Sequence, residues 1–545
     1  MNISTMHSIE QFLSLMKNLN IKLWVEGNDL RFKAPKGALT QDLRQELKRR
    51  KLELIQFIRE NKASESNFSI VPVLRNRALP LSFAQERLWF LSQLEPENPL
   101  YTIAVVLYLR GALDIKALEK SLNEIVRRHE TLRTNFIAVN GKPVQIIKPA
   151  LNIPLSIIDL RELSESNQSD EIQRLASEEI RNPFDLAKDP LMRVTLLPLS
   201  GSISKDTHGQ YIMMLTMHHI VSDAWSMGIV VKELSVLYEA YIHQKPSPLP
   251  ELVIQYADFA VWQRKWLSGE TLQSQIRYWK KQLASIPRAI ELPTDRPHSS
   301  VQSFRGKNEQ FEIGADLMKS LRKLSQGAGA TLFMLLLSAF AVLLCRYTGQ
   351  KDILIGSTIA NRNRKEIEPL IGFFVNTLVM RIDLSGNPSF LEVIARVRQI
   401  TIDGYAHQDL PFQKLVEELQ PQREPGHSPL FQVMLDYQNM ENNISELPGL
   451  TITRLDVEKT TAKFELVLIF EERARQLNGK LEYRTDLFDT STIKRMIEHY
   501  CVLLEKIIDN PRQQIFDIPF GDAPYACEPN HFPEKTGDPE QFNFV

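Results

Sequence analysis

Apolar and polar positions divide the chain into a small N-terminal part, a long middle part and a short tail. Within the first sixty residues, a helical spacing is followed by alternation over 21–32 around a polar turn at 26–29, and a second helical spacing follows over 43–58. Alternation around a tight polar turn is typical of a β-hairpin. The pattern therefore predicts a small domain of helix, hairpin and helix over 1–61, and a linker over 62–78.

The middle part mixes helical and strand-like periodicities. It shows no regular βα alternation and no glycine-rich phosphate loop, which argues against a doubly wound nucleotide-binding fold. A mixed α/β (α+β) class is predicted instead. Helical spacing covers 84–93, 115–128, 170–181, 227–243 and 316–346, and strand-like runs cover 104–109, 213–217, 352–355 and 464–470.

Charge, cysteine content and the longest apolar run indicate which partners and which compartment are expected. The formal net charge is −1, so no overall field favours nucleic acid or an acidic membrane. Cys345, Cys501 and Cys527 are far apart, which fits a reducing compartment. The longest apolar stretch, 331–345, is too short to cross a bilayer and predicts a buried helix. With no secretion signal at the N-terminus, the expectations are a cytoplasmic protein and no nucleic-acid or membrane partner.

Candidate chemistry lies where the apolar run 211–217 ends at His218 and His219, with Asp223 four residues further on. Histidine suits proton transfer near neutral pH, and an aspartate can orient a ring or hold the loop. One alternative is that the two histidines simply end a strand. A metal site formed by the three side chains is the other, but no convincing further ligand is nearby, so no metal is predicted.

The segment HHIVSDAW resembles the HHxxxDG motif of condensation domains from nonribosomal peptide synthetases. Six further segments match the other motifs of that family in the same order, across about residues 79 to 510. They are SFAQERLW at 82–89, RHETLRTNF at 128–136, YADFAVW at 256–262, IGFFVNT at 371–377, HQDLPF at 407–412 and a looser match over 423–430.

The resemblance implies two lobes similar to chloramphenicol acetyltransferase, arranged as a V-shaped pseudo-dimer with a tunnel between them. The expected boundaries are 79–250 for the N-lobe and 251–512 for the C-lobe, with an extended or disordered tail over 513–545. Donor and acceptor peptidyl carrier proteins would dock at opposite mouths of the tunnel. They would bring their substrates on phosphopantetheine arms, so the chain itself is expected to bind no cofactor.

The same resemblance assigns roles to individual residues. His219 is expected to accept or position the proton of the acceptor amine, and His218 to shape the loop. Asp223 is expected to be structural, in an ion pair with Arg128 or Arg133. Trp225 and Ser226 begin the next helix and are candidates for tunnel lining or support. The amide of Asn376 is expected either to line the tunnel or to tie down local backbone.

One position departs from the family pattern, because Ala224 stands where the motif has glycine. Glycine permits positive φ angles and close approach of a ligand. An alanine would cost activity if either is needed there, and would only trim space if the backbone is ordinary. The segments 254–258 and 301–306 look most like domains that join an L-configured donor to an L-configured acceptor.

The part over 1–61 resembles the small TubC-type docking domains at the start of some synthetase subunits, which capture the tail of an upstream subunit. An exposed hairpin edge can add a partner strand, and the basic run from Arg44 to Lys51 would suit an acidic tail, although a solvated helix face is the alternative. The C-terminal end is predicted to be a docking peptide for a downstream subunit, against the alternative of a tail without a role.

Adenylation and carrier-protein signatures are absent from the sequence. The chain is therefore expected to be either a free-standing condensation subunit or a fragment of a longer synthetase, and a C-terminal tail without an adenylation-domain start favours the first. Three functions stay open at this point. The chain is an enzyme that forms amides, an enzyme that forms esters with a hydroxyl acceptor, or a non-catalytic platform that recruits carrier proteins or tailoring enzymes. The complete set of His218, His219 and Asp223 favours an enzyme.

Overall fold

The computed structural model describes most of the chain, and its description is continuous through the predicted site. The described residues are 22–26, 29–33, 46–47, 49–55, 69–96, 98–199, 209–286, 289–299, 303–421, 428–438, 447–455, 461–473 and 476–519. They belong to two compact units, 1–71 and 72–545. The larger unit contains the whole of the predicted site.

The smaller unit contains the predicted hairpin. Strands β1 (Lys22–Glu26) and β2 (Asp29–Lys33) pair antiparallel, with Glu26 opposite Asp29 at the turn. Helical residues follow between 46 and 55, in the region of the predicted second helix. The predicted first helix lies outside the described residues.

The described residues of the basic run, Arg49, Arg50 and Lys51, pair with acidic neighbours. Arg49 and Arg50 both bind Glu46 at 2.6 Å, and the Lys51 ammonium lies 2.8 Å from Asp29. The Arg49–Glu46 pair is at helical spacing with an exposed arginine, and such a pair stabilises a helix by only about 0.3–0.5 kcal/mol. All three ion pairs nevertheless mean that an acidic partner would have to compete for these cations.

The first lobe of the larger unit begins with a capped helix, since Ser82 accepts from the Gln85 amide and the Gln85 side chain accepts from the Ser82 amide in return. Its helices are α1 (Phe83–Leu94), α2 (Ile115–Arg128), α3 (Glu165–Arg181) and α4 (Ala224–Ile242). Its strands are β3 (Leu79–Pro80), β4 (Thr102–Gly111), β5 (Thr134–Val139), β6 (Lys142–Ile147), β7 (Leu155–Ile157), β8 (Met192–Pro198) and β9 (Gly209–His218). Helices α5 (Tyr256–Trp266) and α6 (Gly269–Gln282) follow the predicted boundary between the lobes, and Trp279 of α6 lies in the core of the second lobe.

The second lobe is built in the same mixed manner. Its strands are β10 (Gly306–Ile313), β11 (Asp352–Ile359), β12 (Asn376–Asp383), β13 (Val433–Gln438), β14 (Leu450–Leu455), β15 (Leu466–Arg473) and β16 (Gln476–Arg484). Its helices are α7 (Ala315–Gly327), α8 (Leu332–Thr348), α9 (Phe390–Ala406), α10 (Phe412–Leu419) and α11 (Thr490–Asp509). Strand β14 is included here by its place in the sequence.

Within the described part of the larger unit, the strands form three sheets. The first lobe has a five-stranded sheet in the order β14-β4-β9-β8-β7 and a three-stranded sheet in the order β3-β6-β5. The second lobe has a six-stranded sheet in the order β10-β16-β15-β13-β11-β12. Strand β14 therefore crosses from the second half of the sequence into the first sheet, with Leu450 opposite Gly111 and Leu455 opposite Val106. The predicted division of the lobes at 250/251 does not hold for this strand.

A prediction of one long helix over 316–346 was wrong, because helices α7 and α8 are separate and bent by 100°. Gly329 has φ +64° in the connection, and Thr331 begins α8 by accepting from the Met334 amide. Helix α8 is apolar on all sides and lies in the second core, as its composition predicts. Among the described helices, none alone is long and apolar enough to cross a membrane, and only the bent pair α7 and α8 together meets that test of length and composition.

The packed structure continues past the predicted end of the second lobe at 512. Ile515 and Ile518 are buried in the second core, and the carbonyl oxygens of Ile515 and Phe516 accept hydrogen bonds from the Arg346 guanidinium. The packed structure therefore extends at least to Ile518, inside the predicted tail over 513–545.

Candidate functional site

Strand β9 delivers the two histidines to the end of the first sheet. His218 is its last residue, and a single 3-10 turn, His219–Val221, separates it from the start of helix α4. His218 is buried, and its Nδ1 accepts a hydrogen bond from the Ile220 amide at 3.1 Å. Burial, followed by the charge of His219, lowers the pKa of His218 to about 3. His218 is therefore neutral near pH 7, and it accepts a hydrogen bond within the turn.

His219 has a different environment, since its side chain is only partly buried. Its Nδ1 lies 3.1 Å from the carbonyl oxygen of Ser222. A carbonyl can only accept, so Nδ1 carries the proton and the lone pair of the neutral ring is on Nε2. The ring also contacts Phe373 of the second lobe, at 5.6 Å between centroids. The turn thus sets both the orientation and the tautomer required of a base.

Asp223 caps helix α4 and is 1% exposed. Its Oδ1 accepts from the amide of Ser226 at 2.8 Å and from the Ser226 hydroxyl at 2.7 Å. Its Oδ2 accepts from the Phe374 amide at 3.1 Å. The carboxylate also pairs with Arg362 at 3.1 Å. Asp223 therefore holds the histidine turn against the second lobe.

The predicted ion pair of Asp223 with Arg128 or Arg133 was wrong. Arg128 instead binds Glu233 through two hydrogen bonds of 3.1 Å. Arg133 donates to the Lys148 carbonyl. Both arginines belong to the second motif, in the first lobe, whereas the observed partner of Asp223 comes 139 residues after it in the chain.

Glu233 on helix α4 is the hydrogen-bond partner of both Arg128 and His129, the arginine and histidine of the second motif. It accepts from Arg128 and lies 3.1 Å from the Nε2 of His129. Nδ1 of His129 accepts from the Ile371 amide at 3.3 Å, so Nε2 carries the proton. Burial raises the pKa of Glu233, but the hydrogen bonds from His129 and Arg128 outweigh this and leave the pKa below its ordinary value. His129 is therefore a buried structural residue.

Arg362 is one of the residues that join the two lobes at the site. Besides Asp223, its guanidinium donates to the Ile367 and Leu370 carbonyl oxygens at 2.8 and 2.6 Å, and to the Ser226 hydroxyl at 2.9 Å. Burial lowers the pKa of Arg362, and the charge of Asp223 only partly offsets this. A guanidinium stays charged in proteins, so the pair is a buried ion pair with most of its donors used.

Close approach of the fifth motif to helix α5 requires a glycine. A Cβ on Gly372 would lie 1.9 Å from the Tyr256 ring. The Tyr256 hydroxyl is 2.5 Å from the Phe373 carbonyl and 2.8 Å from the Ser82 hydroxyl. Ser82, Tyr256 and Phe373 belong to three motifs that are far apart in the sequence, and they meet in one buried hydrogen-bond network near Asp223.

The family models match this chain in two places. A condensation domain matches residues 75–520, and a TubC N-terminal docking domain matches residues 9–60. The chain belongs to the condensation-domain family. This family consists of peptide-bond-forming enzymes of the acyltransferase type, and its chloramphenicol-acetyltransferase-like fold agrees with the predicted fold class.

Curated relatives of this condensation domain are synthetase subunits. The chain is 46% identical to part of one subunit of the linear gramicidin synthase of Brevibacillus parabrevis, over 84% of this chain and 9% of that protein. It is 39% identical to phosphinothricin tripeptide synthetase PhsC of Streptomyces viridochromogenes, over 83% of this chain and 42% of that protein. The chain thus spans only a small part of the length of the first of these relatives.

Solved structures share the fold. The X-domain from teicoplanin biosynthesis superimposes with a TM-score of 0.74 and 29% identity, over 83% of this chain and 99% of that one. The first condensation domain of the calcium-dependent antibiotic synthetase, in complex with a substrate analogue, gives a TM-score of 0.67 at 18% identity, over 82% of this chain and 99% of that one. The second likeness is one of fold alone.

Ala224 lies in ordinary backbone in this condensation domain. It is the first residue of helix α4, has no positive φ, and its side chain is exposed. The glycine of the family motif is therefore not needed for conformation. Its neighbour Trp225 is 37% exposed and donates to the Glu368 carbonyl at 3.0 Å, and Ser226 is buried against Asp223.

Restoring the glycine should change little. We expect Ala224→Gly to leave the reaction type unchanged and to alter turnover by less than about threefold, while it lowers helix stability by up to about 1 kcal/mol. Turnover measured with loaded carrier proteins, together with a melting curve, tests this. A change from no activity to strong activity would mean that the methyl group blocks the site.

The amide of Asn376 ties down backbone. Its Nδ2 donates to the carbonyl oxygens of Gln408 and Leu410, both at 2.8 Å, and its Oδ1 accepts from the Phe412 amide at 3.1 Å. All three of these hydrogen bonds go to the segment of the sixth motif. Of the two expectations for Asn376, the geometry therefore favours support over lining of the tunnel.

Sequence reasoning missed Arg362, Glu233 and Tyr256 as parts of the site. Arg362 lies in the basic segment NRNRK, where Arg364 is an equal candidate, and no local pattern separates the two. Glu233 lies on the inner face of helix α4, and a charged residue among apolar helix positions is the one signal that could have identified it. Within the described residues, no group of three or more His, Cys, Asp or Glu side chains converges in a way that could hold a metal ion.

Proposed function

We propose that this chain joins an acyl or aminoacyl group, carried as a thioester on a donor carrier protein, to the amine of an acceptor on a second carrier protein. The product is an amide, and the donor thiol leaves as the amine attacks. Both substrates are delivered on phosphopantetheine arms that belong to the carrier proteins. The proposal rests on the family of the chain together with the chemistry available at His219.

The observation that carries the proposal is the contact between His219 Nδ1 and the Ser222 carbonyl. It leaves the lone pair on Nε2, and an amine must lose a proton as it becomes an amide. A positioned base of this kind contributes about a hundredfold to ten-thousandfold. Holding the two tethered reactants together adds a proximity effect of comparable or larger size.

Two alternative functions are compatible with the same fold. An ester would form if the acceptor presented a hydroxyl, since the same base could take its proton. The second is recruitment without catalysis, which the likeness to the teicoplanin X-domain suggests because a related structure shows that domain in complex with OxyB. The histidine pair and the Asp223–Arg362 contact favour catalysis.

A direct assay distinguishes these functions. Donor and acceptor carrier proteins, each loaded with a defined substrate, are mixed with the full-length protein, and the product on the acceptor is identified by mass. Amine and hydroxyl acceptors of equal length are compared. We expect amide product to form at least about tenfold faster than ester. Carrier binding without any product would instead favour recruitment.

The N-terminal unit is proposed to dock an upstream subunit and to be dispensable for the chemistry. We expect deletion of residues 1–61 to leave turnover unchanged with free carrier proteins at high concentration. With a donor on its native upstream subunit at low concentration, we expect the deletion to lower turnover by at least about tenfold, because docking raises the effective concentration. Equal losses in both assays would mean that the segment belongs to the catalytic fold.

A further inference from the structure

The six-stranded sheet of the second lobe presents two different faces. Tyr437 on strand β13 contacts Phe333 of helix α8, at 6.4 Å between ring centroids. The face of the sheet on which Tyr437 lies is therefore the one that the helices cover. Successive residues of a strand point to opposite faces. The neighbours Asp436 and Gln438 therefore lie on the face that is turned away from those helices.

This second face is turned toward the first lobe. A Cβ on Gly356 would touch the ring of Phe431, so Phe431 covers this face at strand β11. Phe431 lies 5.5 Å from Phe412 and 5.3 Å from Phe464 between centroids. The three rings therefore form one aromatic cluster on this face of the sheet.

Two cations connect that aromatic cluster to the first lobe. The Arg87 guanidinium of helix α1 lies over Phe412 at 5.7 Å, and the Lys463 ammonium lies 5.6 Å from Phe464 and 4.9 Å from Tyr101. Tyr101 immediately precedes Thr102, which is opposite His218 in the β4–β9 ladder. This face of the second sheet is therefore next to the end of the first sheet at which the histidines lie.

The carboxylate of Asp436, on the interior strand β13, lies on this face. Thr358 donates to Asp436 Oδ1, and Gln438 Nε2 donates to Oδ2 at 3.0 Å. Thr358 precedes Arg362 by four residues, a reach of at most about 14 Å. Arg362 in turn pairs with Asp223. Ile359, next to Thr358, is opposite Asn376 on strand β12. Asn376 comes three residues after Phe373, whose ring contacts His219. Short segments of the chain therefore connect Thr358, the partner of Asp436, to residues that contact the histidine turn.

The charge of Asp436 has no counter-ion within reach among the described residues. No Lys, Arg or His nitrogen of that part of the chain lies within 4.0 Å of its carboxylate. Lys480 lies on the same rung of the sheet, but Ile469 separates the two, which places their Cα atoms about 10 Å apart. Asp436 is partly buried, and a carboxylate can accept about four hydrogen bonds, of which Thr358 and Gln438 supply two.

We infer that Asp436 is a specificity-determining residue that binds a cationic side chain, an ammonium or guanidinium group, on one of the two carrier-bound substrates. This inference rests on the proposed function and names the substrate class of the same site. Thr358 and Gln438 hold the carboxylate in one orientation, which lowers the cost of ordering it on binding. A charge-assisted hydrogen bond contributes about 1.5–3 kcal/mol, equivalent to a preference of about tenfold to a hundredfold.

The test uses substrates that differ in charge at equal shape. Carrier proteins carrying arginyl and citrullinyl groups compete in one mixture with the full-length protein, first as donors and then as acceptors, each against an alanyl partner. Ornithinyl and norvalyl groups form a second pair with a shorter side chain. Product ratios by mass give the preference for charge. For at least one pair, used either as donors or as acceptors, we expect the charged substrate to give about tenfold to a hundredfold more product than the neutral one.

The variant Asp436→Asn keeps the shape of the side chain and removes its charge. It should bring the ratio close to one and change citrullinyl or norvalyl transfer by less than about twofold. Glu471→Gln is the matched control, because Glu471 is opposite Gln438 on the next strand of the same face. It should leave the ratio unchanged.

Three outcomes would overturn the inference. If charged and neutral substrates gave product in a ratio near one, both as donors and as acceptors, Asp436 would not recognise a cation, although the proposed function would stand. Equal loss of preference in Asp436→Asn and Glu471→Gln would indicate the general field of the face rather than this residue. No product from any pair would contradict the proposed function, and the inference would fail with it.

Discussion

His219→Ala is expected to lower turnover by about a hundredfold to ten-thousandfold while the protein stays folded. The ring is only partly buried, so its removal leaves the Ser222 carbonyl without this donor but creates little unfilled core. The chemical step should suffer because the neighbouring histidine cannot replace the base. His218 is buried, and its Nδ1 already accepts from the Ile220 amide.

The measurement is single-turnover formation of the amide with saturating loaded carriers, with a melting curve for each variant. His243→Ala is the matched control, since His243 is an exposed histidine that follows helix α4. It should leave turnover unchanged. A well-folded His219→Ala protein with turnover within about threefold of the original would show that proximity alone drives the reaction.

Breaking the buried ion pair between Asp223 and Arg362 should have the largest effect on stability. Removing one partner of such a pair costs about 3–5 kcal/mol, because the other charge is left buried without compensation. Asp223→Ala also removes the acceptors of the Ser226 and Phe374 amides. We therefore expect the free energy of unfolding to fall by about this amount and turnover to fall with it, because the histidine turn loses its support.

A double-mutant cycle tests which arginine is the partner. Asp223→Ala combined with Arg362→Ala should lose at least about 1 kcal/mol less than the sum of the single variants, since contacting residues couple by about 0.5–3 kcal/mol. Asp223→Ala combined with Arg133→Ala should be additive within about 0.5 kcal/mol. Coupling to Arg133 and none to Arg362 would contradict the pairing in the structure.

Short-range features of the fold were predictable because local physics decides them. Helix α2 has the bounds expected from its spacing, and the hairpin of β1 and β2 turns where the polar residues predict. Strand β9 ends at the histidines because the apolar run stops there. The helix predicted over 316–346 was wrong because apolar spacing continues across a connection that only Gly329 and Thr331 interrupt.

The sequence alone determined the family, the histidine turn and the residue expected to act as a base. These follow from motifs in which each residue is close to the next along the chain. Tertiary structure decided the partner of Asp223, the crossing of strand β14 into the first sheet and the placement of Asp436. The physical reason is that these depend on contacts between segments tens to hundreds of residues apart. Several arginines are equal candidates by charge, and only the packing of the two lobes places Arg362 within 3.1 Å of the carboxylate.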